Sequence, residues 1–341
     1  MTFAVIWFIL WGVLWAAYFV LDGFDLGAGM LYPFLGRSES DRALIRRSIG
    51  PMWDGNEVWL LTAGGATFAA FPAVYASMFS YLYTALLLVL FALIFRGVSL
   101  EFRAKDKRPS WGKFWDVGFV AGSLLPALLL GVAFGNIFRG LPMDAAGYHG
   151  TLFTLLNPYG LLTGALFVAL FLVHGALWIA LKTEGDLAKR ALALAGRIWV
   201  AAALLVVVFF IVTPFATKLV VNYLVWPWWF VVPALGVLAL VMTMSYAGRG
   251  RVGRAFFASA ATIGLVTATG LVGLYPNLLP SRLDAASSLT LFNASSSPYT
   301  LKIMTIVALI FVPLVIGYQV WVYRVFRAKI SAQEAETDSF Y

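Results

Sequence analysis

Two acidic pairs interrupt otherwise apolar stretches of this chain: Asp22 and Asp25 in GFDLGAG, and Asp54 and Glu57 in WDGNEVW. An ionised side chain at bilayer depth costs at least ~2.5–3.5 kcal/mol on insertion scales, so such groups face a protein interior or a polar path. Each pair is spaced i, i+3, which puts both carboxyl groups on one helix face. Four carboxyl groups on two neighbouring helices point to a hydrophilic cargo, most simply protons. A structural use of the same residues stands beside that reading. Asp54, close to Pro51, could cap a helix start, where an acid suits the dipole. Asp22 and Asp25, in a glycine-rich stretch, could bond freed backbone groups or an arginine from a neighbouring loop. Asn56 and Trp59 flank the second pair, Asn56 as a candidate for a bond across helices and Trp59 as a packing aromatic. His174, in FLVHGALW, sits mid-span and needs a polar partner, as a satisfied interior histidine rather than a ligand. Gly23, Gly27 and Gly29 permit close helix contact.

Composition sets the frame. Of 341 residues, 62% are hydrophobic and 12% charged, with mean hydropathy +0.88; a soluble domain carries about 25% charged residues. The chain has no cysteine, which excludes a disulfide framework, a thiolate metal site and a cysteine nucleophile. Two histidines in separate segments, His149 and His174, do not make a paired ligand set for a buried haem or metal. No P-loop, GxSxG elbow or HExxH motif is present. The net charge of +8 reads as basic loops on one membrane face, not as nucleic-acid binding.

Crossing ~30 Å of hydrocarbon takes about 20 apolar residues. Nine runs qualify, at 4–31, 51–75, 77–99, 116–138, 159–181, 199–221, 228–247, 255–275 and 301–325. Alternate connections hold 20 of the 24 Lys and Arg residues, the other face only Arg139, Lys218, Arg282 and Lys302. The positive-inside rule then puts the N-terminus outside and the C-terminus in the cytoplasm. The first run lacks a basic leader, so no cleaved signal peptide is expected. All four acids then cluster near the inner leaflet. Residues 1–341 read as a single all-α membrane domain, with an outer loop at 276–300 and a flexible cytoplasmic tail at 330–341. Pro126, Pro214, Pro233 and Pro313 inside apolar runs favour a compact bundle that re-satisfies released carbonyls.

Several stretches carry a resemblance: DGFDLGAGML (22–31), SIGPMWDGNEVWLLTAGGATFAAFP (48–72), FWDVGFVAGSLLPALLLGVAFGN (114–136), LLNPYGLLTG (155–164) and SLTLFNASSSPYTLKIMT (288–305). In this order they make the chain resemble subunit II of the cytochrome bd-type quinol oxidases. The resemblance implies nine transmembrane helices arranged as two four-helix bundles plus one peripheral helix. It implies a heterodimer with a haem-bearing subunit I, which carries two b haems, one d haem and the quinol site. Quinol is oxidised near the outer face, and oxygen is reduced to water with protons drawn from the cytoplasm. Subunit II itself binds no haem. Some members hold a structural quinone, against which the short outer connection at 221–228 speaks here, and some carry a small single-helix subunit. Asp54 matches an aspartate assigned to a cytoplasmic proton-entry route, Trp59 a tryptophan near a lateral oxygen path, and Asp22 and Asp25 an acidic pair of less defined role. Glu57 and His174 stand where some relatives have glutamine.

Two other readings remain. A stand-alone proton-coupled transporter would also carry intramembrane acids, but it calls for a midplane cavity formed by broken helices in repeated halves. A scaffold would use the acids only to pack helix ends.

Overall fold

The computed structural model describes residues 2–331. The chain forms α1 (Thr2–Leu35), α2 (Glu39–Ile49), α3 (Trp53–Ala70), α4 (Pro72–Tyr81), α5 (Tyr83–Phe102) and α6 (Pro109–Arg139), then a hairpin of β1 (Met143–Asp144) and β2 (Gly147–Tyr148). Next come α7 (Leu152–Leu155), α8 (Pro158–Lys182), α9 (Gly185–Ala216), α10 (Val220–Val225), α11 (Val231–Gly248) and α12 (Val252–Leu274). A second hairpin, β3 (Asn277–Leu279) with β4 (Leu289–Thr290), leads into α13 (Pro298–Val325). The result is the all-α membrane architecture expected from hydropathy.

Among the described residues, eight helices are long and apolar enough to cross a bilayer: α1, α5, α6, α8, α9, α11 with the turn before it, α12 and α13. The ninth expected span is α3, whose first turns hold Asp54, Asn56 and Glu57 and which is correspondingly less apolar. The expected boundaries of the second and third runs are corrected. Proline lacks an N–H and disfavours helix at the residue before it. The helix therefore stops at Ala70 and restarts at Pro72 as α4, which runs across the boundary expected near 76 and ends at Tyr81.

The first helix, α1, is the hub. Its pairings run antiparallel to α3 (Trp11 with Thr67, Asp25 with Asn56), antiparallel to α6 (Trp15 with Phe134, Tyr32 with Asp116) and parallel to α8 (Phe19 with Phe167, Phe24 with Trp178). Helices α1, α3, α5 and α6 form one group and α8, α9, α11 and α12 the other, with α6–α8, α1–α8 and α1–α12 packing between them. Helix α13 lies outside both; Leu301 is its sole buried residue.

Lipid supplies little hydrophobic drive between helices, so close backbone approach through small residues does the holding. The crossing of α1 and α8 depends on it. A Cβ on Gly27 would meet the Phe171 carbonyl, and one on Gly175 would meet the backbone of Gly27 and Ala28. Gly29 packs on Ser123 in the same way.

The loop expected at 276–300 has its own structure. Ser296 donates through its N–H to the Ala70 carbonyl at 2.8 Å and through its hydroxyl to the Ala69 carbonyl at 2.6 Å, supplying partners where α3 breaks. On the opposite, basic face, the Ile330 N–H donates to the Lys182 carbonyl at 2.8 Å. The remainder of the expected tail, from 332, lies outside the described residues.

Replacing Gly175 by Ala is expected to force α1 and α8 apart, at a cost of about 1–3 kcal/mol as for other overpacked interiors. A lower unfolding temperature in detergent than for the parent protein is the expected reading; an unchanged one would show that the crossing can relax.

Candidate functional site

The acids of α1 are wholly buried, with Asp22 and Asp25 both at 0% exposure. Their spacing directs both into the interior, but to different neighbours. Asp22 Oδ1 accepts from Arg96 Nη2 of α5 at 2.7 Å, and Arg96 is itself 0% exposed. The same nitrogen lies 3.7 Å from Glu57 Oε2, which is partly exposed. Asp25 Oδ2 accepts from Asn56 Nδ2 of α3 at 2.7 Å. Asn56 Oδ1 in turn accepts from Gln319 Nε2 and from the Tyr323 hydroxyl, each at 2.9 Å. Trp59 Nε1 donates to Gln319 Oε1 at 2.7 Å. A continuous polar network thus joins α1, α3, α5 and α13 within an apolar bundle.

The structure brings together Asp22, Asp25, Asn56, Glu57 and Trp59, and it leaves Asp54 at the rim. Asp54 is exposed in the first turn of α3, one turn from Glu57 on the same face, with no hydrogen bond or ion pair among the described residues. Its position suits the helix dipole. It is not the cap residue, however: Met52 occupies that place and makes no side-chain cap bond. His174 stands apart from the network. Its Nδ1 is 2.6 Å from the Ser259 hydroxyl and its Nε2 3.1 Å from the Val20 carbonyl, while its ring stacks on Phe256 at 4.4 Å. A carbonyl can only accept, so Nε2 carries a proton and donates to it, while Nδ1 faces the Ser259 hydroxyl, which also lies 2.8 Å from the Phe256 carbonyl. His174 therefore pins α8 to α1 and α12.

Three participants escaped the sequence reading. Arg96 was counted among the basic loop residues, whereas it lies inside α5 as the counter-ion of Asp22. A lone arginine in ALIFRGVSL, matched against intramembrane acids elsewhere, was the signal for it. Gln319 and Tyr323, one turn apart on the apolar α13, were the other two.

A second polar cluster covers the basic face. Asp116 accepts from the Tyr32 hydroxyl at 2.8 Å and pairs with Arg103 at 2.7 Å and Arg42 at 3.3 Å, and Arg190 pairs with Asp41 at 2.8 Å. At the opposite end, His149 Nε2 lies 2.8 Å from Asp144 Oδ1. That bond, with help from the Ala146 N–H, holds the Asp144 carboxyl below its usual range. Near that same end, the 221–228 connection borders an apolar groove of about 500 Å³ between α1 and α12, lined by Trp226, Trp228, Trp229 and Tyr275. Among the described residues no cluster of three or more His, Asp or Glu side chains could hold a metal ion.

Comparison with known proteins places this geometry. The family described as cytochrome bd terminal oxidase subunit II matches residues 3–326. The chain belongs to that family. It is 37% identical over 374 aligned positions to the cytochrome bd-I ubiquinol oxidase subunit 2 of Escherichia coli K12, covering 98% of each chain. It is 39% identical over 335 positions to the cytochrome bd ubiquinol oxidase subunit 2 of Bacillus subtilis, covering 97% of this chain and 98% of that one. The fold is similar to a chain of the bd oxidase from Geobacillus thermodenitrificans, with a TM-score of 0.79 at 19% identity over 96% of this chain and 99% of that one. The bd subunit II family is one of subunits of a membrane oxidoreductase. The bacterial relatives and the apolar helices together place the chain in a bacterial inner membrane.

Breaking a buried ion pair by removing one partner strands the other charge, at about 3–5 kcal/mol. Arg96→Leu is therefore expected to destabilise the protein by about that much, with Asp22→Asn in the same chain recovering part of the loss. Thermal unfolding of the single and double variants in detergent checks this; equal losses in both would show that Arg96 acts through packing alone.

Proposed function

We propose that this chain is the haem-free subunit II of a bd-type quinol:oxygen oxidoreductase of the respiratory chain. In this reading it supports a haem-bearing subunit I and carries a cytoplasmic proton-entry path for the reduction of oxygen to water. The buried network from Glu57 through Arg96 and Asp22, beside Asp25 and Asn56, is the observation that carries the proposal. Arg96 faces Asp22 and Glu57, and Asp25 beside them is held by Asn56, so three carboxyl groups share one positive charge and bound protons offset the excess negative charge. Asp54 takes a proton at the exposed start of α3, and Glu57, one turn on, carries it inward to the α1 acids. The positive-inside rule supports the direction, with the N-terminus outside and the C-terminus in the cytoplasm, because the basic connections lie on the side of Asp54 and Glu57.

The haems belong to the partner in this reading. The donors of this chain do not fit a haem: both ring nitrogens of His174 are engaged, and His149 is half-exposed and bonded to Asp144. The electron chemistry is thus the complex's. This chain's residues contribute proton transfer and the packing that holds it in place.

Co-expression with a subunit I, purification through a tag on this chain and a reduced-minus-oxidised spectrum test the assignment. Haem bands of b and d type with quinol-dependent oxygen uptake are expected; a stable chain that never retains a haem partner would overturn it in favour of a transporter. Within the complex, Asp54→Asn and Glu57→Gln are each expected to lower oxygen uptake by about 10²-fold, the scale of a lost proton-transfer group, with haem content unchanged. Full turnover in both variants would exclude this route.

A further inference from the structure

Arginines at the other connections of the basic face pair with acids of this chain: Arg42 and Arg103 with Asp116, Arg46 with Glu39, Arg108 with Asp106 and Arg190 with Asp41. The turn between α11 and α12 differs. It reads GRGRVGR, and its Arg249, Arg251 and Arg254 are all exposed. No Asp or Glu occurs between Asp186 and Asp284, so α11, α12 and most of α9 hold no carboxyl group to meet them. Among the described residues, none of the three side chains makes a hydrogen bond or ion pair. A fourth arginine, Arg197 of α9, is exposed and unpaired in the same way. Its neighbour Gly196 faces Met244, one turn before Gly248, and Trp199 Nε1 donates to the Leu240 carbonyl, so α9 runs antiparallel to α11 there.

The turn is also bare. A Cβ on Gly248 or Gly250 would meet nothing within 4 Å, and one on Gly253 would touch only Leu181, at 3.9 Å. Toward the hydrocarbon the surface changes character. Arg254, Phe257 and Ala261 lie on one face of α12 and are all exposed, Phe257 at 73%. On α11, Leu238 and Val241 are exposed as well. Orientation in the membrane asks only for positive charge on this face, and the other connections supply it with acids alongside. Unmet charge directly beside an exposed apolar face fits a ligand that is anionic at one end and apolar at the other. A soluble anion would leave Phe257 without a partner, and a zwitterionic lipid would leave the net charge unmet. Guanidinium forks match the oxygens of a phosphate.

We propose that the α11–α12 turn docks the phosphate headgroup of an anionic phospholipid, with Arg249, Arg251 and Arg254 around the phosphate and an acyl chain along Phe257. Arg197 adds to the attraction from α9. The surface belongs to this chain alone and is independent of the oxidase reading.

The purified protein, with whatever partner it retains, is reconstituted in vesicles of equal parts phosphatidylglycerol and phosphatidylcholine with identical chains. A benzoylphenylalanine photocrosslinker in place of Phe257 then reports, through the mass of the adduct, which lipid lies there. Phosphatidylglycerol adducts are expected to exceed phosphatidylcholine adducts about 10²-fold, from about fivefold for each arginine beside an anionic headgroup. Arg254→Gln is expected to lower that ratio about fivefold. R249Q/R251Q/R254Q is expected to bring it close to parity, and R249K/R251K/R254K to keep most of it, with unfolding temperatures as in the parent protein. Equal adducts in the parent, or a preference that survives R249Q/R251Q/R254Q, would overturn the proposal. A preference that appears only after removal of residues 332–341 would overturn it too, because Glu334, Glu336 and Asp338 would then be what meets the arginines.

Discussion

A full positive charge and a full negative charge meet at 2.7 Å between Arg96 and Asp22, with neither exposed to solvent. In a bundle surrounded by hydrocarbon, each ion makes the other tolerable and neither can be lost alone. The consequence is registration. The guanidinium has to reach a particular turn of α1, so the depth of α5 against α1 is set by electrostatics as well as by packing. Gly118 and Gly122 on α6 support that depth from behind, since Cβ atoms there would run into Ser99, Phe95 and Arg96. Small residues let the helices approach, and the ion pair decides where they stop.

The polar residues of α3 and α13 follow from the same requirement. A helix carrying Asp54, Asn56 and Glu57 is poorly suited to face lipid on all sides, and it finds partners on α1, α5 and α13. Helix α13 is largely exposed along its length, yet Gln319 and Tyr323 reach inward to Asn56, and Lys182 donates to the Phe326 and Ala328 carbonyls just past its end. A peripheral helix held by a few polar bonds and little buried area can complete an interior site while keeping an apolar outer surface. The exteriors of α9 and α11 are strongly apolar too, and Trp199 Nε1 of α9 donates to the Leu240 carbonyl of α11 at 2.8 Å.

Satisfaction of the backbone is managed locally. The α3–α4 break, imposed by Pro72, receives Ser296 from the segment before α13. On the basic face Arg190 donates to the Leu35 carbonyl at the end of α1 while pairing with Asp41. The pair is only partly exposed, and it closes the end of α1 against α2 and α9.

Much of this protein was legible in its sequence because the relevant physics is local. Apolar run length reports spanning helices, charge asymmetry reports the faces, and i, i+3 spacing reports that each acidic pair shares a side. The motifs around Asp22 and Asp54 carried the family. What those signals lack is the identity of neighbours, which depends on how helices far apart in sequence are rotated and translated against one another. The tertiary structure alone makes Arg96 a buried counter-ion and not a loop cation, recruits Gln319 and Tyr323 from α13, and sends Asp22 and Asp25 to different partners. It also leaves Asp54 exposed while Glu57 turns inward. Hydropathy counts Arg96 the same way wherever it sits; only the packing of α5 on α1 determines whether its guanidinium meets water or Asp22.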